Sequence, residues 1–295
     1  VKLAAIDIGS NAMRLLIANV YERNGEGVNI KKGALYRIPL RLGDDAFLQG
    51  AISPTKVDDL IKTMIAYRNI MEVSKIEGYL ACATSALRDA VNREDVVKRV
   101  AIESGVHIEI ISGAREAEII AHNSSSAISP NGSYLYIDVG GGSTELTYYR
   151  DGVRVVSRSF DIGTVRLLNN LVPDERWKEL REWLRQTVAD DKAIQAIGSG
   201  GNINKIYKLT GPKEGHPLSQ EKLAETVKML SALSMDERMK QIGLREDRAD
   251  VIVPAGQIVL SILRWGKIRR IIVPKIGLSD GIVAMLYQER MQCQV

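Results

Sequence analysis

The chain carries one pattern twice. The run KLAAIDIGSNAMRLLIANVYERNG at residues 2–25 is echoed by SYLYIDVGGGSTELTYYRDG at residues 133–152, with Asp7 and Asp138 standing 131 positions apart. Each copy reads as an apolar, β-branched strand, a turn of small residues and a second alternating strand that ends at a polar turn. That is a β-hairpin with an acid just ahead of its turn. Two such hairpins predict two similar lobes. The length agrees, since 295 residues exceed what one core usually organises.

Between and after the hairpins, strand and helix signals alternate, which predicts α/β layering. RIPLRLG reads as a strand. Ser53-Pro54 opens a helix whose apolar face is Val57, Leu60, Ile61, Met64 and Ile65, because proline suits a first turn and the spacing is helical. Strand YLACATSA, a helix around Asp95 to Glu103, strand VHIEIIS and a helix from about Ala114 complete the first half. In the second half Trp177, Leu180 and Leu184 form a helical stripe, and strand AIQAIGSG runs into a third glycine-rich turn. Ser234 and Glu237 spell a capping box. The segment from Val251 to Ile262 has helical spacing, with a kink expected at Pro254. Strand RRIIVPK and helix SDGIVAMLYQE follow. Turn signals in SSSAISPNG set the domain boundary near residues 123–131. The expected lobes are therefore 1–122 with 280–295, and 123–279.

Composition narrows the function classes. With 26% charged and 5% aromatic residues, the chain is an ordinary globular one. A net charge of +4 is too small to indicate a nucleic-acid polymer as partner. Two local basic clusters stand out, Lys31/Lys32/Arg37/Arg41 and Arg264/Lys267/Arg269/Arg270, each of which reads as an anion-attracting patch or as a solvated rim. Cys82 and Cys293 have no metal-ligand spacing, so a reducing cytoplasm is expected. His107, His122 and His216 are scattered and read as structural or exposed. No apolar run approaches a membrane span.

In DIGSN and DVGGGST a strand delivers Asp7 or Asp138 to a turn of small residues. There, backbone N–H groups can approach a phosphate closely. Gly9, Ser10 and Asn11 would form one jaw, and Gly140, Gly141, Gly142, Ser143 and Thr144 the other, across a central cleft. A glycine-rich turn by itself is usually only a turn; the pairing, with an acid before each, points to phosphate chemistry.

These turns, with GSGGN at residues 198–202, resemble the phosphate and nucleoside segments of the actin, sugar-kinase and Hsp70 superfamily. Within it, DIGSNAMRLLI, ATSALRDAVN at 83–92, ISGAREA at 111–117, DVGGGSTE at 138–145 and GTVRL at 163–167 resemble, in order and nearly end to end, the exopolyphosphatase/guanosine-pentaphosphate phosphohydrolase (Ppx/GppA) family. The resemblance implies a two-lobed, actin-like (ribonuclease-H-like, ASKHA) α/β fold whose last helix packs back on the first lobe. It also implies a magnesium-dependent phosphatase acting on the terminal phosphoanhydride of inorganic polyphosphate or of pppGpp, and a homodimer. Glu116 matches the family's base, Asp138 and Glu145 its activity-bearing, magnesium-associated acids, and Ser143 a phosphate contact; Arg14 and Arg88 match arginines that hold the polyanion. Asp7 would reach the ion through water.

These roles fit the chemistry. Hydrolysis needs a water aligned behind phosphorus, a carboxylate to orient or deprotonate it, and cations on the leaving phosphate. Taken singly, Glu116 reads as an exposed helix acid, Arg88 as a helix-end charge, Ser143 as a turn hydroxyl, and Glu145 and Asp7 as structural acids; motif order is what argues otherwise. Two positions depart from the family pattern: Ala12 replaces a serine and Arg115 an acid. The sequence also stops at Val295, short of the HD-type domain of long members, from which a short-chain preference is expected. An actin-fold sugar kinase and a non-catalytic polyphosphate or nucleotide sensor are the rival readings.

Overall fold

A computed structural model describes residues 1–23, 27–122, 131–188, 190–211, 215–274 and 277–292. The expected boundary segment at 123–130, Lys275, Cys293 and the side chain of His122 lie outside the described residues. In chain order the elements begin with β1 (Lys2–Ile8), β2 (Met13–Arg23), β3 (Gly27–Ile38), α1 (Leu42–Gln49), α2 (Pro54–Val73), β4 (Gly78–Ala83) and α3 (Ser85–Asp89). Next come α4 (Arg93–Ser104), β5 (Ile108–Ile110), α5 (Gly113–His122), β6 (Ser133–Val139), β7 (Thr144–Arg150), β8 (Val153–Phe160), α6 (Thr164–Leu168), α7 (Asp174–Thr187) and β9 (Gln195–Ser199). The chain continues through α8 (Gly201–Thr210), β10 (Leu218–Ser219), α9 (Gln220–Ala232), α10 (Met235–Lys240), α11 (Glu246–Ala249), α12 (Ile252–Trp265), β11 (Arg270–Ile272) and α13 (Leu278–Gln292).

Val1–Asn123 with Leu278–Val295 form one compact unit and Ser124–Gly277 a second. The first unit's sheet runs β3-β2-β1-β4-β5, with β1, β2 and β3 antiparallel and β4 and β5 parallel to β1. β1 is buried on both faces because its side chains alternate. Ala4, Ile6 and Ile8 enter a core with Leu60, Met64 and Tyr67 of α2. Leu3 and Ala5 enter another with Ile119 of α5 and Ile282 and Val283 of α13. In the second unit the order β8-β7-β6-β9-β11 repeats this plan with the same strand directions, and β10 is added at the edge. The duplication seen in two hairpins thus extends to two ribonuclease-H-like sheets.

Three local expectations are corrected. RIPLRLG is not a strand: β3 ends at Ile38, ahead of Pro39, and Leu42 already starts α1. YLACATSA breaks at Thr84, and its last residues open the short helix α3. Pro254 does not kink a helix. It sits in the first turn of α12, where no N–H is needed, and its missing donor coincides with the break from α11 at Asp250–Val251. The capping box at Ser234 and Glu237 is formed in both directions.

Asp45 of α1 ties that helix to α2. Its carboxylate accepts the Ser53 N–H at 2.9 Å and pairs with Lys56 at 3.0 Å. Burial works to raise its pKa, but the Ser53 and Lys56 contacts together hold it below the ordinary 3.8. A depressed carboxyl stabilises the fold above its unfolded-state pKa, and that contribution disappears as pH falls through the depressed value. Urea midpoints measured from about pH 6 down to about pH 3 should therefore drop more steeply for the wild type than for Asp45→Asn. Parallel curves would contradict this.

Candidate active site

In the first unit the turn after β1 is closed by the Gly9 N–H donating to the Ala12 carbonyl at 3.2 Å. Its other carbonyls are tied back by the chain entering α1: Gly43 N–H donates to Ser10 O at 2.8 Å and Arg41 N–H to Asn11 O at 3.1 Å. The Ser10 hydroxyl is buried and bonded to the Ser85 hydroxyl at 2.9 Å, joining this turn to α3. Arg14, which faces Asp7 across β1 and β2, donates to its carboxylate at 2.6 Å.

Glu116 lies in the first turn of α5 and is 7% exposed, not the exposed helix acid that it reads as when taken singly. Arg88 at the end of α3 donates to the Ile111 carbonyl at 3.0 Å and places the same nitrogen 3.8 Å from the Glu116 carboxylate. ATSALRDAVN and ISGAREA are thereby brought together. Arg115 turns to its own helix, pairing with Glu118 at 3.0 Å and contacting Met285 Sδ at 3.1 Å. Ala12 is buried at 3% exposure.

In the second unit the corresponding turn closes the same way, Gly140 N–H to Ser143 O at 2.9 Å. GTVRL holds its carbonyl edge. Thr164 N–H donates to Gly140 O at 3.0 Å, Val165 N–H to Gly141 O at 2.8 Å and Arg166 Nε to Gly142 O at 2.9 Å. This packing needs glycine at 163, because a Cβ there would lie 2.3 Å from the Gly141 oxygen. Gly163→Ala should displace the turn, costing about 1–3 kcal/mol in stability as overpacking does. Its urea midpoint should fall below that of the wild type; an unchanged midpoint would show that the turn takes up the methyl group without moving.

Side chains around this turn are hydrogen-bonded in turn. Asp138 accepts from the Ser199 hydroxyl at 2.7 Å, and Glu145 accepts from Ser143 at 2.7 Å and Ser159 at 2.8 Å. Thr144 is fully buried and its hydroxyl is spent on the Ile162 carbonyl at 2.5 Å. Ser159, Ser199, Arg166 and Ser85 carry no signal of their own in the sequence. ATSALRDAVN, GTVRL and GSGGN contain three of these positions, Ser85, Arg166 and Ser199, but what they touch emerges only in the fold.

The two turns differ at one register position. Asp7 pairs with Arg14 across its hairpin, and Asp138 pairs with Glu145 at the equivalent place in the other. The first acid is neutralised by its neighbour. In the second hairpin two carboxylates offer oxygens within 4.8 Å of one another, and like charges this close disfavour joint ionisation unless a cation joins them. Two carboxylates without histidine or cysteine are a hard, all-oxygen donor set, of the kind that magnesium, calcium and manganese take.

A profile of the Ppx/GppA phosphatase family matches residues 35–289. Exopolyphosphatase 1 of Mycobacterium leprae (strain TN) is 26% identical over 96% of this chain and 88% of its own length. Exopolyphosphatase 2 of Mycobacterium tuberculosis (strain CDC 1551 / Oshkosh) is 26% identical over 97% of this chain and 98% of its own. The crystal structure of an exopolyphosphatase from Cytophaga hutchinsonii shares the fold, with a TM-score of 0.85 at 23% identity over 98% of both chains. With the five motifs falling on the turns and helices just described, the chain belongs to the Ppx/GppA phosphatase family.

Proposed function

We propose that the protein is a magnesium-dependent exopolyphosphatase that hydrolyses the terminal phosphoanhydride of inorganic polyphosphate and releases orthophosphate. The names of its relatives support the activity. The observation that carries the site assignment is the turn at 140–144: its carbonyls are tied back by GTVRL, which leaves the N–H edge to an anion, beside the paired acids Asp138 and Glu145.

In this reading the N–H groups of both turns bind phosphoryl oxygens, Ser143 contributing its backbone while its hydroxyl is donated to Glu145, and Arg14 and Arg88 neutralise the polyanion as bidentate donors. Glu116 orients a water and takes its proton as the oxygen attacks phosphorus; the anhydride P–O bond breaks and the shortened chain departs with the electron pair. Asp138 and Glu145 would hold magnesium, which supplies charge neutralisation at the leaving phosphate. Asp7 acts first as the partner that fixes Arg14, its link to the ion passing through water. A reducing cytoplasm suits the buried Cys82 thiol, which burial pushes up to about 12. Among the described residues no helix is long and apolar enough to cross a membrane.

pppGpp presents the same terminal anhydride, and the Gly198–Asn202 turn leading into α8 is where its nucleoside would be sought. Phosphate release from polyphosphate and from pppGpp should be measured side by side with magnesium, with chelator, and with Asp138→Asn. Faster release from polyphosphate, abolished by chelator and by the substitution, is expected. Faster release from pppGpp would reverse the substrate assignment, and polyphosphate binding without release from either would establish a sensor.

A further inference from the structure

The two basic clusters of the sequence part company in the fold. In the first, Lys32 is paired with Asp280 at 2.6 Å and Arg41 with Asp44 at 2.7 Å. The second cluster lines two adjoining clefts of the second unit, about 480 and 590 Å³ in volume, which share Asp190 and Lys267. Besides Arg185, six exposed cations rim them: Arg181, Lys192, Arg264, Lys267, Arg269 and Arg270. Among the described residues none of the six has a carboxylate within 4.0 Å, although surface cations elsewhere are commonly paired, as Arg99 is with both Asp58 and Glu103 at 2.8 Å. Two of the three acids lining the clefts are engaged already. Glu182 pairs with Arg185 at 3.6 Å, while Asp191 accepts from Tyr148 at 2.7 Å and meets Arg150 at 3.5 Å.

A cation near a helix C-terminus is ordinary, and that accounts for Arg264 in the last turn of α12. It does not account for Lys192 in a loop or for Arg269 and Arg270 at the start of β11. Lys267 adopts left-handed backbone, with φ 55°, immediately after Gly266. This conformation is uncommon for a residue other than glycine, asparagine or aspartate. Like charges gathered on one rim repel each other, and an anion spanning them relieves that repulsion. Guanidinium groups suit phosphate oxygens in particular.

The clefts lie by Gln195 and Arg270, at the entry ends of β9 and β11. Asp138 and Ser199 lie at the exit end of β9. Four residues of strand separate the two ends, or roughly 13 Å by strand rise. The cleft aromatic, Trp265, is half-buried and packed edge-on against Trp177 at 5.8 Å. Among the described lining residues it is a single, partly covered ring, whereas a single-strand site stacks successive bases on several. Many cations and one partly covered ring favour a base-free linear polyanion over an oligonucleotide.

Against the short-chain preference expected from the sequence, we propose that this rim is an exosite holding the body of a long polyphosphate chain whose end is processed at the Asp138 turn. The proposal rests on the polyphosphate reading above and adds a second, distant contact that tripolyphosphate, occupying the turn alone, does not make.

The test is the triple variant Arg264→Gln, Lys267→Gln, Arg270→Gln, all at exposed positions, with its melting temperature checked against wild type. For chains of hundreds of phosphates KM should rise about tenfold with kcat unchanged, and the log–log salt dependence of binding should fall by about 2 for three lost phosphate contacts. Tripolyphosphate kinetics should not move. Equal shifts for both substrates, or none for either, would overturn the exosite, as would an oligonucleotide that displaces long polyphosphate from the rim at lower concentration than polyphosphate itself. Long-chain binding is also measured by fluorescence anisotropy in the Glu116→Gln background, with and without the triple change. If wild type released no phosphate, the functional reading would fail, yet this arm would still decide: equal binding with and without the triple change overturns the exosite, and weaker binding with it supports it.

Discussion

Glu116→Gln is expected to lower phosphate release by about 100-fold or more, the scale on which a positioned proton acceptor contributes. That corresponds to about 2.7 kcal/mol of activation free energy. The substitution preserves size at a site only 7% exposed and removes only the ability to carry charge and take a proton. α5 should still form, since the Glu116 N–H donates to the Ser112 carbonyl at 2.9 Å whatever the side chain. Arg88 keeps its bond to Ile111. The melting temperature should therefore stay close to wild type while the rate collapses. Phosphate release within a few-fold of wild type, from a variant that melts normally, would remove Glu116 from the mechanism.

Gly281→Ala is expected to be among the most destabilising single-methyl changes in the molecule. Helix propensity alone predicts the opposite, since alanine is favoured over glycine inside a helix by about 1 kcal/mol. At this position in α13, however, a Cβ would lie 2.0 Å from the Ile119 carbonyl oxygen and 2.6 Å from its carbon, atoms of the α5 backbone that no rotamer change can move aside. The two helices must separate, opening the core that joins Ile119 to Ile282 and Val283. A cost at or above the upper end of about 1–3 kcal/mol follows. Ile119 is one helical turn beyond Glu116, so activity should fall along with the urea midpoint. Gly277→Ala, where a Cβ meets nothing within 4 Å, is the neutral control. An unchanged urea midpoint for Gly281→Ala would mean that α13 and α5 tolerate a wider spacing.

Much of this is legible in the amino-acid sequence. Asp7 and Asp138 ahead of matching small-residue turns announced two equivalent sheets, because strand periodicity and turn chemistry are local properties. The buried face of α2 followed from the spacing of Val57, Leu60, Ile61 and Met64 for the same reason. Short elements were read poorly: α1 and α3 have too few turns to display a period, and strand-like residues at 37–43 and 84–86 hid them. The roles of Ser85, Ser159 and Ser199 were invisible, since a serine's meaning depends on which carboxylate or hydroxyl the fold sets beside it.

By itself, then, the amino-acid order determined the paired hairpins, the α/β alternation and the set of motifs that mark the family. Only the tertiary structure decided that Asp7 is neutralised by Arg14 while Asp138 stands beside Glu145, that GTVRL fastens the carbonyl edge of the second turn, and that Lys32 and Arg41 of one basic cluster meet carboxylates while the described cations of the other have none within 4.0 Å. Each of these depends on side chains meeting across strands or between helices far apart along the chain. Periodicity reports which face a residue occupies; it does not report what stands opposite.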